Sequence, residues 1–142
     1  MGPPRVSGEA GVEPNVGKDM TTVLVVDDEF LIQTILADAL EDEGFAVELA
    51  RDGQAALDCV EKSLPSLIIT DLMMPVMTGL ELARALKQEP RTRAIPIILC
   101  SAAHTGAARA ESHLFAAIYS KPFRLADLLR TVVRLADHSE PA

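Results

Sequence analysis

The chain has 142 residues, enough for one hydrophobic core and too few for two ordinary domains. A formal net charge of −8, a pI near 4.8 and no visible basic stripe argue against a nucleic-acid surface, since phosphate binding requires clustered Lys and Arg. No apolar run approaches a membrane span and the first residues lack a signal-peptide pattern, so a cytoplasmic protein without a membrane or nucleic-acid partner is expected.

Residues 1–20 carry four of the eight glycines and three of the nine prolines with no apolar periodicity, which predicts a disordered tail. Order should begin near Thr21. The run Val23 to Val26 suits a short buried strand, and it ends in Asp27, Asp28 and Glu29. Phe30, Leu31, Ile35, Leu36, Ala39 and Leu40 then recur at helical spacing, and Gly44 is a natural C-cap, so a first helix is predicted over about 29–43. Phe45 to Ala50 alternates weakly as a second strand, and Asp52 caps a helix running through Ala55, Leu57 and Val60.

After Pro65, the apolar Leu67, Ile68 and Ile69 predict a strand buried on both faces, with Asp71 as it ends. Pro75 stops regular pairing, and Thr78 to Glu81 spell a capping box for a third helix to about Gln88. Ile95 to Cys100 supply a fourth strand, with Pro96 tolerable only at its start. Residues 103–115 permit a helix but hold few large apolar groups, so it should be the least firmly docked. Ala117 to Ser120 give a fifth strand, and Leu125, Leu128, Leu129, Val132, Val133 and Leu135 the apolar face of a fifth helix. Strands alternating with helices imply an α/β fold with a parallel sheet and right-handed crossovers. Cys59 and Cys100 show no metal-ligand spacing and read as buried thiols.

The polar residues at the ends of strands 1, 3, 4 and 5 are Asp27 with Asp28, Asp71, Ser101 and Lys121. In a parallel sheet those ends share one edge, and three carboxylates meeting there need a cation. Mg²⁺ is the natural candidate, a hard ion that takes a few carboxylates and keeps room for a phosphoryl oxygen. Lys121 adds a second positive charge and Ser101 a hydroxyl donor. The chemistry this supports is attack by a carboxylate on a phosphoryl donor to give an acyl phosphate. Asp71 is the nucleophile candidate, since Asp27 and Asp28 are adjacent and look like a metal pair. Met73, Met74 and Met77 read as loop and core filler. His113 and His138 lack ligand partners in the sequence, and His104, three residues after Ser101, reads as a solvated loop residue with contact to the site rim as the alternative.

VVDDE at 25–29, DLMMPVMTG at 71–79, Ser101-Ala102 and Lys121-Pro122-Phe123 resemble the receiver domains of two-component response regulators, over about residues 21–136 with a short tail at 137–142. The resemblance implies a flavodoxin-like (βα)5 doubly wound sheet of strand order 2-1-3-4-5. It implies that Asp71 is phosphorylated, that Asp27, Asp28, Asp71 and the Met73 backbone carbonyl hold Mg²⁺, and that Ser101 is the switch hydroxyl. By the same resemblance Lys121 binds the phosphoryl group, Ala102 leaves room for it, and the Lys121–Pro122 bond is cis. A histidine kinase or phosphotransfer protein would be the donor. The target is unspecified, and the module is not an enzyme beyond catalysing its own phosphorylation and dephosphorylation. One departure stands out: the family usually has an aromatic three residues before the lysine, here Ile118, while the one tyrosine is Tyr119. Tyr119 is read as strand packing, with a displaced switch as the alternative. Only 21 residues follow Lys121, so a stand-alone receiver is expected. Two rivals remain: a phosphoaspartate-forming phosphatase or phosphotransferase, whose acids would be spaced one residue apart, and a degenerate receiver that only binds partners.

Overall fold

The computed structural model describes residues 21–102 and 106–139, and the expected tail at 1–20, His104, the side chain of His138 and residues 140–142 lie outside the described residues. Strands β1 (Thr22–Val26), β2 (Ala46–Ala50), β3 (Leu67–Asp71), β4 (Ile97–Ser101) and β5 (Ala117–Ser120) alternate with helices α1 (Phe30–Asp42), α2 (Gly53–Lys62), α3 (Gly79–Gln88), α4 (Gly106–Ala110) and α5 (Leu125–Ser139). The strands form one sheet in the order β2-β1-β3-β4-β5, every neighbouring pair parallel. This is the doubly wound, flavodoxin-like order expected, because each strand returns through a helix that covers one face of the sheet.

Alternation along the central strands divides the core in two. Val23 and Val25 of β1, Leu67 and Ile69 of β3 and Ile98 of β4 meet Leu36 and Leu40 of α1 and Leu128 and Val132 of α5. Leu24, Val26, Ile68, Ile97 and Leu99 point the other way, onto Ala56 and Val60 of α2 and Leu82 and Leu86 of α3. Burying each such side chain contributes roughly 1.5–3 kcal/mol, so the central strands are the rigid base from which the loops project.

Local signals end the elements where the sequence places them. Gly44 adopts φ 98° after α1, a left-handed conformation that suits glycine. Asp52 caps α2 by accepting from the Ala55 amide at 2.8 Å. Thr78 and Glu81 form the reciprocal capping box of α3, at 3.1 and 2.9 Å. Pro96 falls just before β4, where its missing N–H breaks no strand pairing and its carbonyl accepts from Ile68.

Four expectations change. On α1 the buried stripe is Gln33, Leu36 and Leu40, leaving Phe30, Leu31 and Ile35 exposed on other sides of the helix. Gln33 tolerates burial because its amide donates to the Ala50 carbonyl at 2.8 Å. The helix predicted over 103–115 is broken before its end: among the described residues α4 holds five, then a 3₁₀ turn follows at Ser112–Leu114, with Ala108 and Leu114 as the buried anchors. Val133 turns outward from α5, and Cys59 is only half-buried. Cys100 is buried, and that burial pushes its thiol up to about 12.

Candidate functional site

The sheet register builds the site. Val26 lies opposite Thr70 and Asp71 opposite Cys100, so Asp27 and Asp71 come side by side at the carboxyl edge. Ser101 pairs with Ser120, and the Lys121 amide donates to the Ser101 carbonyl at 2.9 Å, which brings the β5 end level with β4. Asp27 is buried, Asp71 half-buried and Asp28 exposed, and each offers a carboxylate oxygen within 4.8 Å of the others. Lys121 reaches over them, its Nζ 3.5 Å from Asp27 Oδ2 and 3.8 Å from Asp71 Oδ1. The Lys121–Pro122 bond is cis.

Backbone donors fix two of the acids. The Glu29 amide donates to Asp27 Oδ1 at 2.9 Å and the Leu72 amide to Asp71 Oδ1 at 2.8 Å. The loop after Asp71 is closed at its neck, where the Gly79 amide donates to the Leu72 carbonyl at 2.8 Å. A Cβ at position 79 would fall 2.2 Å from the Asp71 carbonyl oxygen, so only glycine lets α3 start this close to the strand end. Ser101 is buried at the end of β4, and Ala102 is exposed. Met73 sits two residues past Asp71 with its side chain 57% exposed.

Burial pushes the Asp71 carboxyl above the usual carboxylate range; Lys121 opposes this, Asp27 adds to it, the Leu72 amide opposes it and Asp28 adds again. A raised carboxyl makes metal-free stability largest below the ordinary carboxylate pKa and diminishes it as pH rises through the folded-state value. In a chelator, Asp71→Asn is therefore expected to melt above wild type at neutral pH, with the gap closing as pH falls below the usual carboxylate range. A gap that widens toward acid would show that Asp71 is stabilised as its anion.

The donor set fits Mg²⁺: hard carboxylate oxygens, one of them buried, with no thiolate or imidazole among the clustered ligands. Among the described residues the one amine drawn to the site, Lys121, balances one of three acids, leaving room for a divalent cation.

Ile118 and Tyr119 separate across the sheet. Ile118 packs into the cluster shared with α2 and α3, whereas Tyr119 packs with Phe123 and α5 on the opposite face. Its hydroxyl is hydrogen-bonded to Thr131 Oγ1 and donates to the Asp127 carbonyl at 3.3 Å. Tyr119 therefore ties β5 to α5, and it is aimed away from the face where Ile118 stands. His113 is exposed on the 3₁₀ turn and stays apart from the acids. Sequence reading missed the role of glycine at 53: Met77 packs directly on it, and a lone glycine at the start of a helix gives no hint of which distant residue uses the space.

Known proteins share this fold. The sequence profile of the response regulator receiver domain matches residues 23–133. The phosphate regulon transcriptional regulatory protein PhoB of Rhizobium meliloti is 33% identical over 121 residues, 84% of this chain and 53% of its own length. The chain thus spans about half of that full-length regulator. Among solved structures, the receiver domain of a signal transduction histidine kinase from Syntrophus aciditrophicus superposes with a TM-score of 0.79 at 30% identity, covering 86% of this chain and 94% of that one. The response regulator TrrA of Thermotoga maritima, solved in complex with Mg²⁺-BeF, gives a TM-score of 0.74 at 30% identity over 82% of this chain and 99% of its own. With the sheet order, the converging acids and the profile match in agreement, the chain belongs to the response regulator receiver domain family.

Proposed function

We propose that residues 21–136 form a cytoplasmic phosphoacceptor module of a two-component or phosphorelay system, with Asp71 as the residue that takes the phosphoryl group. The observation that carries this is the placement of Lys121 Nζ 3.5 Å from Asp27 and 3.8 Å from Asp71, above three converging carboxylates. Asp71 projects its carboxylate from a rigid strand end and is held there by the Leu72 amide, so it is oriented to attack. In the reaction an Asp71 oxygen forms a bond to phosphorus as the bond to the donor's leaving group breaks, and that group takes up a proton. Lys121 neutralises the charge that develops on the transferred oxygens, and the Ser101 hydroxyl stands one strand away to receive one of them. Asp27, Asp28, Asp71 and the Met73 carbonyl are the residues that would hold Mg²⁺; when bound it supplies positive charge to the phosphoryl oxygens. Phosphorylation and Mg²⁺ binding characterise this family, and the Thermotoga relative was solved with that ion and a beryllofluoride group.

A histidine kinase or phosphotransfer protein is the proposed donor. Any protein that brings a phosphohistidine to Asp71 must cover the mouth of the site. Phe30 lines a cleft with Asp27 and Asp28 and is 77% exposed, and Ile32, Ile35, Pro122 and Phe123 form an apolar groove beside Lys121. No described helix is long and apolar enough to cross a membrane.

The test is direct. Incubated with Mg²⁺ and acetyl phosphate, the chain should gain the mass of one phosphoryl group, and hydroxylamine should remove it, as it does an acyl phosphate. No gain would favour a module that only binds partners, and a gain resistant to hydroxylamine would place the group on a hydroxyl.

A further inference from the structure

The loop from Leu72 to Thr78 contains a backbone conformation that its sequence opposes. Val76 has φ 72°, in the left-handed region where a β-branched side chain is a genuine outlier. The Met77 amide donates to the Pro75 carbonyl at 2.7 Å, closing a three-residue γ-turn around Val76, and γ-turns with positive φ at their centre are rare and strained. Val76 is 77% exposed, so its own side chain gains little packing in return. Such a conformation persists only where its surroundings hold it.

The holding contacts lie on both sides of the turn. Behind it, Thr78 and Glu81 form the capping box and Gly79 closes the neck on Leu72. Ahead of it, the Met77 side chain lies on the bare Cα of Gly53, in the first turn of α2. A Cβ built at position 53 would come within 2.7 Å of Met77 Cβ and Cγ and 2.8 Å of its sulfur. Because Met77 Cβ moves only with its backbone, rotating the far end of the side chain could not relieve that clash. Gly53 is itself fixed, since Asp52 caps the same turn through the Ala55 amide and Gly53 is buried. Met77 thus anchors the tip of the loop to α2, while Asp71 and Leu72 hold its base to the sheet.

We infer that Met77 seated on Gly53 is a positioning clamp: it keeps the strained turn at Val76 closed, and so keeps the backbone after Asp71 in the shape that metal binding requires. This rests on the reading that Asp27, Asp28, Asp71 and the Met73 carbonyl hold Mg²⁺. Freed from Gly53, the tip relaxes at Val76 toward negative φ. Because only Val76, Pro75 and Met74 separate Met77 from Met73, that relaxation turns the Met73 carbonyl away from the acids.

Calorimetric Mg²⁺ titration and metal-free melting, on the whole chain, test the clamp. Met77→Ala is expected to weaken Mg²⁺ binding by about tenfold, the low end for residues that orient metal ligands from behind. It should also lose exchange protection at the amide of residue 77. Leu57→Ala, which truncates a half-buried side chain of the same core cluster, should lower the melting temperature and leave Mg²⁺ affinity unchanged. Val76→Asn should raise the melting temperature in the wild-type background, since Asn tolerates the left-handed region, and should restore most of the affinity lost in Met77→Ala. Should Met77→Ala not fold, Gly53→Ala reads the same contact from the other side and is expected to weaken Mg²⁺ comparably. A metal-responsive wild type whose affinity is untouched by Met77→Ala or Gly53→Ala overturns the clamp alone. An affinity loss equal in Leu57→Ala does the same, and failure of Val76→Asn to recover it overturns the role of strain. A wild type with no Mg²⁺ response overturns the metal reading, and the clamp with it.

Discussion

Asp71→Asn is expected to gain no phosphoryl group from acetyl phosphate under conditions where the wild-type chain is fully labelled. The substitution keeps the shape of the side chain and an oxygen for the Leu72 amide, so the loop stays in place. What it removes is the anionic oxygen proposed to attack phosphorus. The neighbouring acids are poor substitutes: Asp27 is buried and already accepts from the Glu29 amide, and Asp28 is exposed at the rim. Lys121→Met should give a different result, a chain still labelled but about a hundredfold more slowly, the usual consequence of losing one preorganised charge at the transition state. Full labelling of Asp71→Asn at the wild-type rate would move the acceptor to another residue, and mass mapping of the labelled peptide would then identify it.

Much of this site is legible in the sequence because strand ends are legible. Val23 to Val26 and Leu67 to Ile69 are continuous apolar runs that suit strands buried on both faces, and a parallel sheet puts the residues just beyond them on one edge. Asp27, Asp71, Ser101 and Lys121 therefore come together in the structure as the spacing implied. Helix faces were harder. Phe30, Leu31 and Ile35 are as apolar as Leu36 and Leu40, but α1 turns Gln33 inward instead, where its amide joins that of Asp27 on the Ala50 carbonyl. Hydrophobicity does not reveal that a polar side chain will find a partner on a neighbouring strand. The Gly53–Met77 contact was out of reach for a related reason. It depends on how α2 and the loop after β3 approach one another in space, and neither segment alone marks the meeting. Register separates Tyr119 from Ile118: one step along β5 changes the face of the sheet, which sends the tyrosine hydroxyl to Thr131 and leaves Ile118 on the other side.

Magnesium should stabilise the folded chain, and Asp28 is the residue through which to show it. Three carboxylates with oxygens within 4.8 Å, offset by one lysine, leave the metal-free site with an excess of negative charge. An ion bound to the native state alone raises stability by about 2.7 kcal/mol at a hundredfold excess over its dissociation constant, enough to move a melting transition by several degrees. Of the three acids, Asp27 is held by a backbone amide inside the fold and Asp71 by another, so replacing either also disturbs an internal hydrogen bond. Asp28 is exposed, and substituting it tests charge with the least disturbance to packing. Asp28→Ala is expected to melt higher than wild type in a chelator, because one source of repulsion is gone, and to lose most of the shift that Mg²⁺ gives the wild type. The two effects have opposite signs and one origin. A variant that melts lower without metal would show that Asp28 stabilises the loop by a contact of its own, and one that keeps the full Mg²⁺ shift would place the ion away from the edge where Asp27, Asp28 and Asp71 converge.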